Sequence, residues 1–135
     1  MAFDFEQSEI WQLSLQFVDT IYTIAGSLPA DEENNLRQEL KRCSTQLAVL
    51  SFKTTVAEQN SEKAKWVSQA QRALLETIAH CKIVERQQMT PEMILLHDVY
   101  KIAESMDKKL AIIREQCATK LLAGREFKLL GAVGM

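Results

Sequence analysis

The sequence predicts an all-α protein, an antiparallel up-down-up-down four-helix bundle. Three observations carry this expectation. Apolar side chains recur at spacings of three and four in four separate stretches, the mark of amphipathic helices. No stretch alternates with period two, as a half-buried strand would. Turn residues are scarce: the 135 residues hold four glycines and two prolines, and three of the glycines fall in the last twelve positions. A chain of this length buries roughly two-thirds of its unfolded surface, enough for one core without disulfides or metals. Few long helices with short connections then pack up-down-up-down.

The first helix is expected over about residues 8–27. Ile10, Leu13, Phe17, Ile21, Ile24 and Leu28 make one stripe, and Trp11, Leu15, Val18, Tyr22 and Ala25 a second beside it. Two adjoining stripes are wider than a single helix contact needs. Gly26 and Pro29 end the helix. A second helix is expected over about 31–58, opened by Asp31, Glu32 and Glu33 where unpaired N–H groups favour negative charge. Leu36, Leu40, Cys43, Leu47 and Leu50 carry its stripe, with Ala57 in phase. Asn60-Ser61 is the expected break, with Ser61 as cap of a third helix over about 62–87. Val67, Ala70, Leu74, Ile78 and Cys81 line that one. Thr90-Pro91-Glu92 then opens a fourth helix over about 91–122, with Thr90 as cap and Pro91 in the first helical position. Its stripe runs Leu96, Val99, Ala103, Met106, Leu110, Ile113, Cys117 and Leu121. The bundle domain therefore covers 1–123, and 124–135 reads as a flexible tail with Leu129, Leu130 and Val133 among glycines.

Formal net charge is −2, which hides an asymmetry. Through Glu33 the chain holds seven acids and no Lys or Arg; 11 acids and 16 bases follow. The first helix is acidic and the other three hold the bases. Asp4 and Glu6 without a basic neighbour argue against a secretory or mitochondrial leader. No run approaches the ~18 apolar residues of a membrane span. Cys43, Cys81 and Cys117 are too few and scattered for a disulfide framework, so the cytoplasm, with reduced thiols, is the expected address.

Candidate chemistry is limited. Di-iron bundles use Glu-x-x-His repeats, but Thr77 precedes His80 by three and Ile94 precedes His97 by three. The cysteines fall on apolar stripes and read as core residues; that Arg42 is a sequence neighbour of Cys43 is not by itself evidence of contact. Neither a phosphate loop nor a Ser-His-Asp arrangement is evident. An enzyme, a metal site, a cofactor and a small-molecule substrate are therefore not expected. The basic residues are the better candidates. Arg37, Lys41, Arg42 and Lys53 on the second helix and Lys63, Lys65 and Arg72 on the third can neutralise phosphates of RNA or DNA. Against this, Glu39, Glu62 and Glu76 are interspersed, as on an ordinary solvated face. Trp11, Leu15, Val18, Tyr22 and Trp66 are candidates for a subunit interface, where aromatic residues are enriched, or else complete the core. An acidic first helix meeting a basic neighbour suits a head-to-tail ring.

Several motifs resemble a known family. Phe5-Glu6, Ile10-Trp11-Gln12, Ile21-Tyr22, Leu28-Pro29 and Glu32 resemble the opening of the four-helix bundle proteins encoded by intervening sequences in bacterial 23S ribosomal RNA genes. Glu39-Leu40-Lys41-Arg42-Cys43 stands where that family has a Gln-Leu-Arg-Arg-Ala-like run, and Trp66-Val67, Ala70, Leu74 and Glu76 match its third helix. The likeness covers roughly residues 5–115. Tyr22 to Pro29 and Met89-Thr90-Pro91 are similar to the related accessory proteins of diversity-generating retroelements. Thr45 to Lys53 departs from the first branch, which carries a Pro- and Gly-containing stretch there; an unkinked second helix is implied. The resemblance implies a homopentamer and, on the retroelement branch, a reverse transcriptase and nucleic acid as partners. On the other branch it leaves a structural protein-interaction module without nucleic-acid affinity.

Overall fold

The computed structural model describes residues 3–30 and 33–133, with side chains for 3–30 and 35–125. Four helices form: α1 (Glu9–Gly26), α2 (Gln38–Val56), α3 (Asn60–Arg86) and α4 (Met93–Val133). A 3-10 turn at Asp4–Gln7 precedes α1, and a π-helical turn at Glu33–Arg37 leads into α2. There is no strand among the described residues. Each helix packs on two neighbours in the cyclic order α1, α2, α3, α4. Cross-helix pairs fix the antiparallel sense. Ser8 meets Thr55 and Tyr22 meets Thr45 between α1 and α2. Arg42 meets Glu76 and Lys53 meets Trp66 between α2 and α3. Glu85 meets Tyr100 and Gln71 meets Arg114 between α3 and α4. Lys109 on α4 returns to Glu9 at 2.8 Å. This is the expected up-down-up-down bundle.

The first stripe of every helix turns inward. Phe17, Ile21, Ile24, Leu40, Leu47, Leu74, Leu96, Val99, Met106 and Leu110 are fully buried. Small side chains fill the remaining seams. Ser14, Ser44, Ser51, Thr54 and Thr77 are buried too, and each hydroxyl donates to a carbonyl three or four residues back. Satisfied locally, these hydroxyls carry little burial cost.

Four features at the helix ends go beyond or against the sequence expectation. Ser61 is not a cap: α2 stops at Val56, Ala57 is extended, and α3 starts at Asn60. Pro91 and Glu92 lie before α4. Thr90 instead bonds Ser27 and accepts from the Glu92 N–H at 3.1 Å, joining the ends of α1 and α4. Third, α3 ends with Gln88 in the left-handed region, φ 53°. The Met89 N–H reaches the Val84 carbonyl and the Gln88 N–H reaches Glu85, a Schellman closure without glycine. Fourth, α4 does not stop near 122 but runs on through Gly124 to Val133. Gly124 and Gly131 lower helix propensity without terminating the helix, and no proline lies within it. The expected start of the second helix at Asp31 and Glu32 lies outside the described residues.

Candidate functional site

Adjacent antiparallel helices leave a groove between their outward faces. On α2, Arg42, Gln46, Leu50 and Lys53 recur at helical spacing along the edge facing α3. On α3, Lys65, Trp66, Gln69, Arg72 and Glu76 line the opposite bank. Gln46, Leu50, Gln69, Arg72, Ala73 and Glu76 enclose a cleft of about 280 Å³ between them. Eleven residues separate Arg42 from Lys53, so the track is ~16 Å long at 1.5 Å per residue.

The two ends of the track differ electrostatically. At one end the Arg42 guanidinium donates to Glu39 at 2.8 Å and to Glu76 at 2.7 Å. These bonds lift its pKa further above the usual arginine range, Glu39 having the larger effect, and the bond from Arg42 holds the Glu39 carboxyl below its ordinary value. Arg42 also reaches the Cys43 sulfur at 3.3 Å. Ligand-type atoms of Glu39, Cys43 and Glu76 lie within 4.8 Å of one another, a spacing that suits a metal ion. The guanidinium already bonds all three. Burial first, then hydrogen bonding to Glu76, pushes the Cys43 thiol up to about 11. A metal needs the thiolate, so the cluster reads as an arginine clasp between α2 and α3.

At the other end the cations are uncommitted. Lys53 and Lys65 lie over the Trp66 ring at 4.5 and 4.8 Å from its centroid. Trp66 is half-buried, resting on the core, and its indole N–H donates to Glu62 at 3.4 Å. Arg72 is exposed two turns along α3 from Lys65. Among the described residues, no ion pair involves Lys53, Lys65 or Arg72.

Of the seven basic candidates, then, the groove gathers Arg42, Lys53, Lys65 and Arg72. It does not gather the other three. Arg37 donates to the Leu28 carbonyl at 2.6 Å and ties the α1–α2 connection. Lys41 lies over Tyr22, 5.5 Å from the ring centroid, on the α1 side. Lys63 points away from Lys65 by roughly 200° around α3, two residues apart at 100° each. Gln46 and Gln69 were not among the sequence candidates; their signal is helical spacing from Arg42 and Lys65.

The interface candidates also separate. Trp11, Leu15, Val18 and Tyr22 lie along α1 beside α2, with Leu15 41% and Tyr22 43% exposed. Phe5 stacks edge-on with both Trp11 and Phe52, and Val49, 46% exposed, shares the Thr45–Phe52 face of α2. Together they form a partly exposed apolar face. Trp66 belongs instead to the α2–α3 groove. On the far side of the bundle, Leu74, Leu75, Ile78, Tyr100 and Ala103 line an apolar groove of about 290 Å³ between α3 and α4, with Lys82, Glu104 and Asp107 at its margin.

All three cysteines are buried. His80 bonds the Glu76 carbonyl through Nδ1 at 2.7 Å, and His97 is exposed. No described helix is long and apolar enough to cross a membrane. No protein-family model matches the chain, and no curated protein matches it.

Proposed function

We propose that this chain is a non-enzymatic, self-associating accessory protein that binds nucleic acid along the α2–α3 groove, in the cytoplasm. The observation that carries the reading is the open end of that groove, where Lys53, Lys65 and Arg72 stand beside Trp66 with no ion pair among the described residues. Phosphates attract such cations and release counterions on binding. Repetition around an oligomer adds the fields of single patches, which matters for a chain whose own net charge is −2.

Self-association is supported by the two apolar faces on opposite sides of the bundle, one on α1–α2 and one on α3–α4. A head-to-tail contact joins unlike faces and closes into a ring when the rotation permits. Five subunits and a reverse transcriptase partner come from the family resemblance alone. A second reading, a protein-interaction module without nucleic-acid affinity, draws on the same apolar faces and on the neutralised Arg42. Filter binding of labelled RNA and DNA at two salt concentrations decides between them. The proposal expects affinity that falls steeply with salt; absence of binding at low salt refutes it.

A further inference from the structure

We infer that the α2–α3 groove takes single-stranded rather than double-stranded nucleic acid, with Trp66 as the platform on which one unpaired base stacks; this rests on the nucleic-acid reading above. Three features of the groove point there.

The first is its size. The cleft of about 280 Å³ between the neighbouring helices is too small to take in a duplex, which can only lie across its rim. Second comes the aromatic. Trp66 is half-buried against the core, which limits its motion, and two lysine ammonium groups lie over its ring. An ammonium over a partly solvated ring is held weakly, and a base stacks on the same surface more strongly. A base arriving at the ring displaces an ammonium, and the displaced lysine is left within reach of that nucleotide's own phosphate. Exchange therefore gains a stack and an ion pair for one cation–π contact. A base inside a duplex is already stacked on both faces and offers no such gain.

Third, the banks beyond Trp66 carry amides. Gln46 and Gln69 each present a donor and an acceptor on a flexible arm. They satisfy any base edge and select none strongly, so little sequence preference is expected. Arg72 follows as the next phosphate contact. Past it, Glu76 and the clasped Arg42 close the track to anions.

The shared chemistry is an unpaired base joined to a phosphodiester, which single-stranded DNA and RNA both supply. The test uses the full chain and fluorescein-labelled 12-mers of DNA and RNA, each single-stranded and as a duplex, with inorganic polyphosphate as a polyanion without bases. Anisotropy is read for wild type, Trp66→Phe and Trp66→Leu; leucine keeps the apolar contact with the core and removes the ring. Circular dichroism establishes that each variant is folded. The result expected is tighter binding of either single strand than of its duplex. Leucine should weaken it at least about fivefold, and phenylalanine by much less. In a Trp11→Phe background the single strand should quench the remaining indole emission while polyphosphate does not. Tighter binding of one of DNA and RNA identifies the natural source without altering the stack. Equal affinity for duplex and single strand, or binding indifferent to Trp66→Leu, overturns this inference and leaves the nucleic-acid reading standing. Failure of the wild type to bind any oligonucleotide overturns both.

Discussion

Salt dependence gives the sharpest quantitative test of the groove, because the structure counts the cations. Lys53, Lys65 and Arg72 form no ion pair among the described residues, whereas Arg42 is occupied by Glu39 and Glu76. Three neutralised phosphates at about −0.7 each give a log–log slope of about −2.1 for a single strand. Between about 50 and 200 mM salt, affinity then falls about 18-fold. Arg72→Gln removes one cation from an exposed position and should bring the slope to about −1.4, a loss of about sevenfold over the same range. If a strand crosses several subunits, both slopes multiply and their ratio of about two to three persists. Lys41→Gln is the control: its ammonium lies over Tyr22 on the α1 side, outside the groove. Fluorescence anisotropy at four salt concentrations supplies the slopes. Equal changes from Arg72→Gln and Lys41→Gln would show a diffuse field and refute a defined track.

The remaining predictions concern other parts of the molecule. Leu15→Glu with Tyr22→Glu places charge on the exposed α1–α2 apolar face and should reduce the proposed oligomer to monomers by analytical ultracentrifugation; an oligomer of unchanged mass would remove that face from the interface. Burial pushes the Cys81 thiol up to about 12 from an ordinary value of 9.0, so folding favours its protonated form. Its stabilising contribution is complete below pH 9 and is lost as pH climbs toward about 12; urea midpoints should fall across that window, and less steeply in Cys81→Ala. Gln88→Gly relieves a left-handed residue at the end of α3 and should raise stability by about 1 kcal/mol in urea unfolding; no gain would mean that the Gln88 side chain offsets its own strain.

Sequence periodicity located the core because burial is a local pattern on a helix. Phe17, Ile21 and Ile24 are inside for the same reason they are spaced by three and four. Other features depended on partners far away in the chain. Arg42 looked like any surface base until Glu76, 34 residues on, claimed it. Thr90 reads in the sequence as a cap, whereas α4 starts at Met93 and Thr90 instead bonds Ser27 across 63 residues. Trp66 could have faced core, solvent or a neighbouring subunit; only the packing of α2 against α3 puts it beneath Lys53 and Lys65. Ser61 misled because the extended Ala57 sets the break and α3 opens at Asn60, with Gln59 in the cap position and no side-chain cap bond.

The length of α4 is the largest departure from the sequence reading, and its cause is testable. Cys117 is the last buried residue of that helix among the side chains described. Ala118, Thr119, Lys120, Leu122, Ala123, Gly124 and Arg125 are all exposed, and α1 begins beside Lys109, Ile112 and Ile113. Residues 118–125 of α4 therefore have little tertiary support among the described residues. An isolated helix of this length is marginal because nucleation is costly, but a continuation of α4 is already nucleated and needs only residues that propagate. Leu, Ala, Lys and Arg do so; Gly124 is the weak link. A Cβ at Gly124 meets nothing within 4 Å, so Gly124→Ala acts through propensity alone. It should stabilise that turn by about 1 kcal/mol and slow amide exchange at residues 118–125 about fivefold. Gly124→Pro should speed exchange there without shifting the urea midpoint of the bundle. Exchange at unfolded-peptide rates in wild type and Gly124→Ala alike would show that propagation fails past Cys117 and that the helix ends where its packing does.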